Sequence, residues 1–327
     1  GKGLDAQAQI GHGGRETTGN GDGAITVNAV GDLSLTAGQG AAAQSAAQIG
    51  HGGIVAPGNQ SGKIVLEIGG GVTLLGGPTQ NAIAQIGHGG RLSAGDHSGE
   101  ISITAENSIL ASGGSGERGG VMIGHGGSEA HSSIGHSGAI NVTSTTGSVH
   151  FTAGTGIDSQ ARIGHGGANV RGDHHGDIAV SGATGIELIG GNGGTRALAQ
   201  IGHGGGAINA NLSGNIFLNL DPLTGSPKGG GAILVNGGSG TDGAYAQVGH
   251  GGIGASGSYL GEIRGYGESL ALNAGTADQA YVLLGHGGIS ATGAKNSNIT
   301  LETVGGITLT SSATGSQAFA QIGSGGI

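Results

Sequence analysis

Ala47-Gln48-Ile49-Gly50-His51-Gly52-Gly53 recurs as Ala84-Gln85-Ile86-Gly87-His88-Gly89-Gly90, 37 residues further on. The same string, or a near variant, sets His12, His51, His88, His125, His165, His203, His250 and His286 in equivalent places, and a ninth copy carries Ser324 instead. The successive spacings are 39, 37, 37, 40, 38, 47, 36 and 38 residues. An insertion over 220–231, holding Pro222 and Pro227, accounts for most of the 47. A fixed period of this length marks a repeat architecture, and it must be read before any local pattern.

Each unit holds three short apolar segments. The first runs into the motif, as in Ala244-Tyr245-Ala246-Gln247-Val248. The second alternates, as in Ile101 and Ile103, Ile140 and Val142, or Ile178 and Val180. The third also alternates, as in Val149 and Phe151, Ile186 and Leu188, or Leu270 and Leu272. Alternation over four to six residues is a strand with one buried face. No segment has a helical period, and Gly, Asn and Asp bound the strands.

One unit cannot bury its apolar faces alone, but stacking in parallel on its neighbours lines a continuous interior. The expected fold is therefore all-β: a parallel β-solenoid, right-handed by the usual rule for parallel crossovers. It has about 8.5 units of about 38 residues with three short strands each, beginning near 6, 47, 84, 121, 161, 199, 246, 282 and 320. Residues 1–327 form one solenoid without obvious caps. Three strands per unit favour one coil per unit, with two shorter coils as the alternative.

The composition agrees. The 327 residues include 82 Gly and only 4 Pro, with 2% aromatics and neither Cys nor Trp, so neither a disulfide scaffold nor an aromatic core is available. Glycine is expected at tight corners that require positive φ. Collagen is excluded because Gly does not fall at every third position. The net charge of −9 comes from 11 Lys and Arg against 20 Asp and Glu, without a basic stripe, which argues against a nucleic-acid partner. No apolar run reaches the roughly 18 residues of a transmembrane segment.

Units of the form Gly-x-Ile-x-Val, a short turn, then x-Ile-x-Leu, seen in Gly176–Gly190 and Gly99–Gly113, resemble filamentous-haemagglutinin-like bacterial exoproteins. The resemblance covers the whole chain as a style of repeat. It implies a secreted β-helical adhesin or surface protein, extracellular or on the bacterial cell surface, with a structural or adhesive role.

Four groups of residues are candidates for function. The motif histidines should stack in a ladder, as structural hydrogen-bonding groups or as a row that binds metal or senses pH. Gln9, Gln48, Gln85, Gln200, Gln247 and Gln321 precede the motif's Ile or Val and are expected to form an outward-facing amide ladder. His97, His136 and His174 each lie four residues before an Ile of the second strand, so they should be neighbours on successive coils. With Asp96 and Asp173 beside two of them, they form a candidate divalent-metal patch. No other cofactor is implied. Carboxylates are sparse and scattered, which argues against an enzyme. The inward aliphatics and glycines carry the leading reading: a structural β-solenoid that forms or belongs to a filament, adhesin or matrix fibre. Its partner is itself, by end-to-end or lateral assembly, or the continuation of a longer chain. The alternative is a surface module that binds metal or glycan through outward loops and the His-rich patch.

Overall fold

A computed structural model describes residues 6–40, 44–206 and 208–326. Residues 1–5 and 327, the extremities of the solenoid read from the sequence, lie outside the described residues. The described chain is all-β and wound as a parallel solenoid with one coil per repeat unit, which removes the two-coil alternative. Each strand pairs with its counterpart one unit away, so Ile49 lies beside Ile86, and Ile101 beside both Ile64 and Ile140.

The first sheet stacks nine strands, from Gln7–Ile10 to Ala320–Ile322. The second stacks eight, from Ile25–Ala29 to Ile299–Thr303. The third also stacks eight, from Leu33–Thr36 to Ile307–Thr310. Their inward side chains form one core. One column of it is isoleucine in every coil: Ile25, Ile64, Ile101, Ile140, Ile178, Ile216, Ile263 and Ile299. A fully buried isoleucine stabilises by about 2 kcal/mol.

A fourth sheet adds to the three expected. It stacks seven short strands, from Gln60–Ser61 to Lys295–Asn296, most of them two residues long. Two residues cannot show alternation, so this segment has the composition of a turn. Side-chain oxygens carry it from coil to coil. Asn20 Oδ1 accepts the Asn59 N–H at 2.9 Å, and Asn59 Oδ1 accepts the Asp96 N–H at 2.9 Å. Asp173 Oδ1 accepts the Asn211 N–H at 2.8 Å, and Asn211 Oδ1 accepts that of Ser258 at 3.1 Å. The Asn and Asp side chains thus substitute for backbone acceptors at a corner.

The first sheet is buried on both faces, as in Ala84–Ile86 and Ala199–Ile201. The motif turn and its flanking loops cover its second face. Tyr245 and Tyr281 stack there at 4.6 Å, within a small cluster that includes Leu198, Leu283 and Ile289.

Glycines take part of the corner role expected of them, as at Gly52 and Gly89 with φ +95° and at Gly243 and Gly254 with φ +76° and +65°. Left-handed corners recur four residues after the motif histidine, at Val55, Leu92, Glu129 and Asn169, with φ of 54 to 58°. They recur again seven residues before it, at Asn81, Arg118, Asp158 and Arg196, with φ of 55 to 58°. These eight are non-Gly, whereas the same two corners of the His250 unit are Gly254 and Gly243. The motif glycines are needed for close approach as well. Gly164 has φ +149°, and a Cβ there would lie 2.0 Å from the carbonyl oxygen of Gly202 in the next coil.

The insertion folds against the outside of the second sheet. Leu220 and Pro227 form an antiparallel bridge, and Leu220 packs with Phe217 and Ala179. Among the described residues no helix is long and apolar enough to cross a membrane.

Candidate functional site: two histidine columns and a glutamine column

The motif histidines form a continuous stack of parallel rings. His88 and His125 have centroids 4.8 Å apart with planes 3° from parallel, and His203 and His250 are 4.8 Å apart at 2°. Each ring from His51 to His286 is tied to the preceding coil twice. The His51 N–H donates to His88 Nδ1 at 2.9 Å, and His88 Nε2 lies 2.8 Å from the Gly62 carbonyl oxygen. Nδ1 accepts, so the proton of the neutral ring is on Nε2, which donates to that carbonyl. The same pair of bonds holds His125 through His88 N and Gly99 O, His165 through His125 N and Gly138 O, and His203 through His165 N and Gly176 O. At the ninth copy Ser324 Oγ accepts the His286 N–H at 3.3 Å.

Both nitrogens are therefore engaged by backbone. A metal would have to displace one of these bonds at every ring from His51 to His286. Protonation would remove the acceptor at Nδ1 and set like charges 4.8 Å apart. Burial, opposed by the Gly62 bond, holds His88 down at about 4, and burial holds His165 at about 4 and His250 at about 3. His125 and His203 are pushed well below the usual imidazole value by burial and then by neighbouring rings.

Four of the six glutamines are buried rather than outward-facing, and Gln9 and Gln321, in the terminal coils, are half-buried. Gln48 and Gln85 are 6% and 4% exposed, and Gln200 and Gln247 are 0% exposed. The reason is the cover over the second face of the first sheet. Their amides bond mainly to backbone. Gln48 Nε2 donates to Gly87 O at 2.9 Å and Gly89 O at 2.8 Å, and Gln200 Nε2 to Gly249 O at 2.9 Å and Gly251 O at 3.1 Å. Gln9 makes the equivalent bonds to Gly50 O and Gly52 O. Gln85 and Gln247 do so with the glycines of their own next coils. Gln321 donates to Gly323 O in its own coil at 3.4 Å. Two motif carbonyls in the next coil are thereby satisfied by one amide. Within this column, among the described residues, direct amide-to-amide contact is confined to Gln9 Nε2 and Gln48 Oε1, at 3.5 Å.

Against family models, curated proteins and solved structures, the chain matches none.

The three further histidines do meet, in the interior of the fourth sheet. His136 pairs with His97 on one side and His174 on the other. Their rings stack at 4.7 and 5.0 Å, and all three are 0% exposed. The candidate metal patch expected from the sequence is therefore an internal column. His97 Nδ1 and His136 Nδ1 are 3.1 Å apart, so one ring donates and the other accepts, which requires opposite tautomers. His97 Nε2, His136 Nε2 and both nitrogens of His174 have no hydrogen-bond partner. Burial first, then neighbouring charged groups, lowers His97 and His174 to about 3 and His136 well below its usual value.

The flanking carboxylates point elsewhere. Asp96 accepts from Ser132 Oγ and from the N–H groups of Ile134 and Gly135, and Asp173 from Asn211. Among the described residues no group of three or more His, Cys, Asp or Glu is arranged to hold a metal ion. Stacked rings present their nitrogens side by side, whereas a metal needs them to converge. The slot is shared along the stack with Gln60, Leu212, Tyr259 and Lys295, so it is a core position with variable occupants.

Proposed function

We propose that this chain is a structural rod: a β-solenoid that forms or belongs to a filament, adhesin or matrix fibre outside the cell. One observation carries the reading. The repeated chemistry, imidazole and amide alike, is spent on bonds between successive coils. The His51-to-His88 bond at 2.9 Å and the Gln48-to-Gly89 bond at 2.8 Å run along the axis of the rod. Such bonds resist axial separation of coils and close the backbone to proteases. The location outside the cell rests on the resemblance in repeat style.

Electron cryo-microscopy of the purified chain tests the reading. Fibres with an axial layer spacing of about 4.8 Å are expected. Discrete particles of uniform short length, with no end-to-end or lateral contact at any concentration, would count against a fibre.

A further inference from the structure

The glutamine column breaks at Leu283 and at two adjacent coils, where Met122 and Arg162 are stacking neighbours in the first sheet. Gln85 in the preceding coil donates to Gly124 O and Gly126 O. Met122 has no amide for the equivalent carbonyls of Gly164 and Gly166. Arg162 is 1% exposed and donates to Gly204 O and Gln160 Oε1, both neutral acceptors. Its Nε has no partner. A guanidinium stays charged at neutral pH, and burial lowers this one only to about 10. It is thus a buried cation bonded to neutral groups alone, an arrangement that ordinarily calls for a compensating anion.

A cavity of about 40 Å³ opens at this break. Its walls include Ile83, Val121, Met122 and Ala168, and Arg162 lines it. Two further buried atoms without partners belong to lining residues: Ser128 Oγ and Arg118 Nε. Asp158 also lines the cavity, but its two oxygens are taken by Arg196 Nε and Nη2, each at 2.8 Å. Arg118 has Glu129 at 3.6 Å and Glu117 at 3.7 Å as ion-pair partners, so Arg162 is the lining cation left without a carboxylate. On the same measure one water needs about 10–15 Å³, so this space accepts about three or four non-hydrogen atoms.

We propose that this cavity is a binding site for a small monovalent anion, no larger than acetate, held by the guanidinium of Arg162 and the hydroxyl of Ser128. Chloride and a short carboxylate share the required chemistry: one negative charge, acceptor capacity and a volume that fits. The site is independent of the rod's proposed role.

The test compares the wild-type chain with Arg162→Gln, which restores the residue found in six other units. Thermal unfolding is followed in sodium chloride, sodium acetate and sodium gluconate at one ionic strength, gluconate being too large for the cavity. The wild type should unfold several degrees higher in chloride or acetate than in gluconate, and the variant should show no such difference. Chloride alone or acetate alone raising the midpoint identifies which anion is bound. Equal responses from the two proteins would overturn the site. A direct titration needs no variant: ³⁵Cl line widths and ¹³C-acetate line widths should broaden with wild-type protein. If neither broadens, the proposal fails.

Discussion

The backbone N–H of His125 donates to Nδ1 of His165 at 3.0 Å, so the nitrogen that acid would protonate is already occupied by the neighbouring coil. His165 closes its other side through Nε2 to Gly138 O at 2.9 Å. Repeated along the rod, this pair of bonds makes the neutral imidazole part of the backbone ladder.

Acid should therefore unfold the rod. The folded values lie below the unfolded value of 6.5, near 4 for His88 and His165 and near 3 for His97, His174 and His250. Above about pH 6.5 these rings are neutral in both states and add no pH dependence. As pH falls from there toward 3 to 4, the unfolded chain takes up protons that the fold excludes, so stability is lost. A ring shifted from 6.5 to about 4 contributes about 3 kcal/mol over that window. The urea midpoint should be flat from pH 7 to 9 and fall steeply below pH 6. A flat profile down to pH 4 would refute the buried neutral ladder.

Replacing His165 tests the bonds themselves. His165→Ala leaves the His125 N–H and the Gly138 carbonyl unpaired in the interior. Each buried orphan costs about 1–3 kcal/mol, so a loss of about 2–6 kcal/mol is expected. His165→Ser should lose less, because a serine at this position can accept the preceding N–H, as Ser324 does. Denaturant unfolding of the two variants measures the order, and equal losses would argue against the Nδ1 bond.

A pair of glycines separates close approach from mere flexibility. Gly164→Ala puts its Cβ against the Gly202 carbonyl and into a left-handed conformation, and should cost about 3 kcal/mol or more. Gly31→Ala meets no heavy atom within 4 Å and should stay within about 0.5 kcal/mol of the wild type. The comparison is read by thermal melts, and a tolerated Gly164→Ala would mean that the coils can separate locally.

Ile178 is fully buried in the isoleucine column. Ile178→Asp buries a carboxylate with no cation in the core and should cost more than about 4 kcal/mol. Hydrogen exchange should show protection lost first in its own coil and in the coils of Ile140 and Ile216, its direct neighbours. An unchanged melting temperature would place Ile178 outside the core.

The architecture was legible in the sequence because the period and the alternation are both one-dimensional. A ladder that pairs like with like needs only the spacing to be predicted, and Ile101 between Ile64 and Ile140 follows from that alone. The meeting of His97, His136 and His174 was legible for the same reason. Their direction was not. A two-residue strand such as His97–Ser98 carries no pattern that separates inside from outside. The glutamines were misplaced by a related limit. Alternation assigns a residue beside an inward Ile to the solvent face, but solvent is absent once the motif turn folds over the sheet. An excluded second face is signalled only weakly, by the short apolar runs Val121–Ile123 and Val282–Leu284.

By itself the sequence determined the repeat, the parallel stacking and the aliphatic core, since these depend on spacing and on which residues avoid water. Only the tertiary structure decided what the polar side chains do. The imidazole tautomer, the carbonyls capped by each glutamine and the uncompensated charge of Arg162 depend on atoms brought close from neighbouring coils. Hydrogen bonding is directional and acts over about 3 Å, a scale that residue spacing along a chain does not resolve.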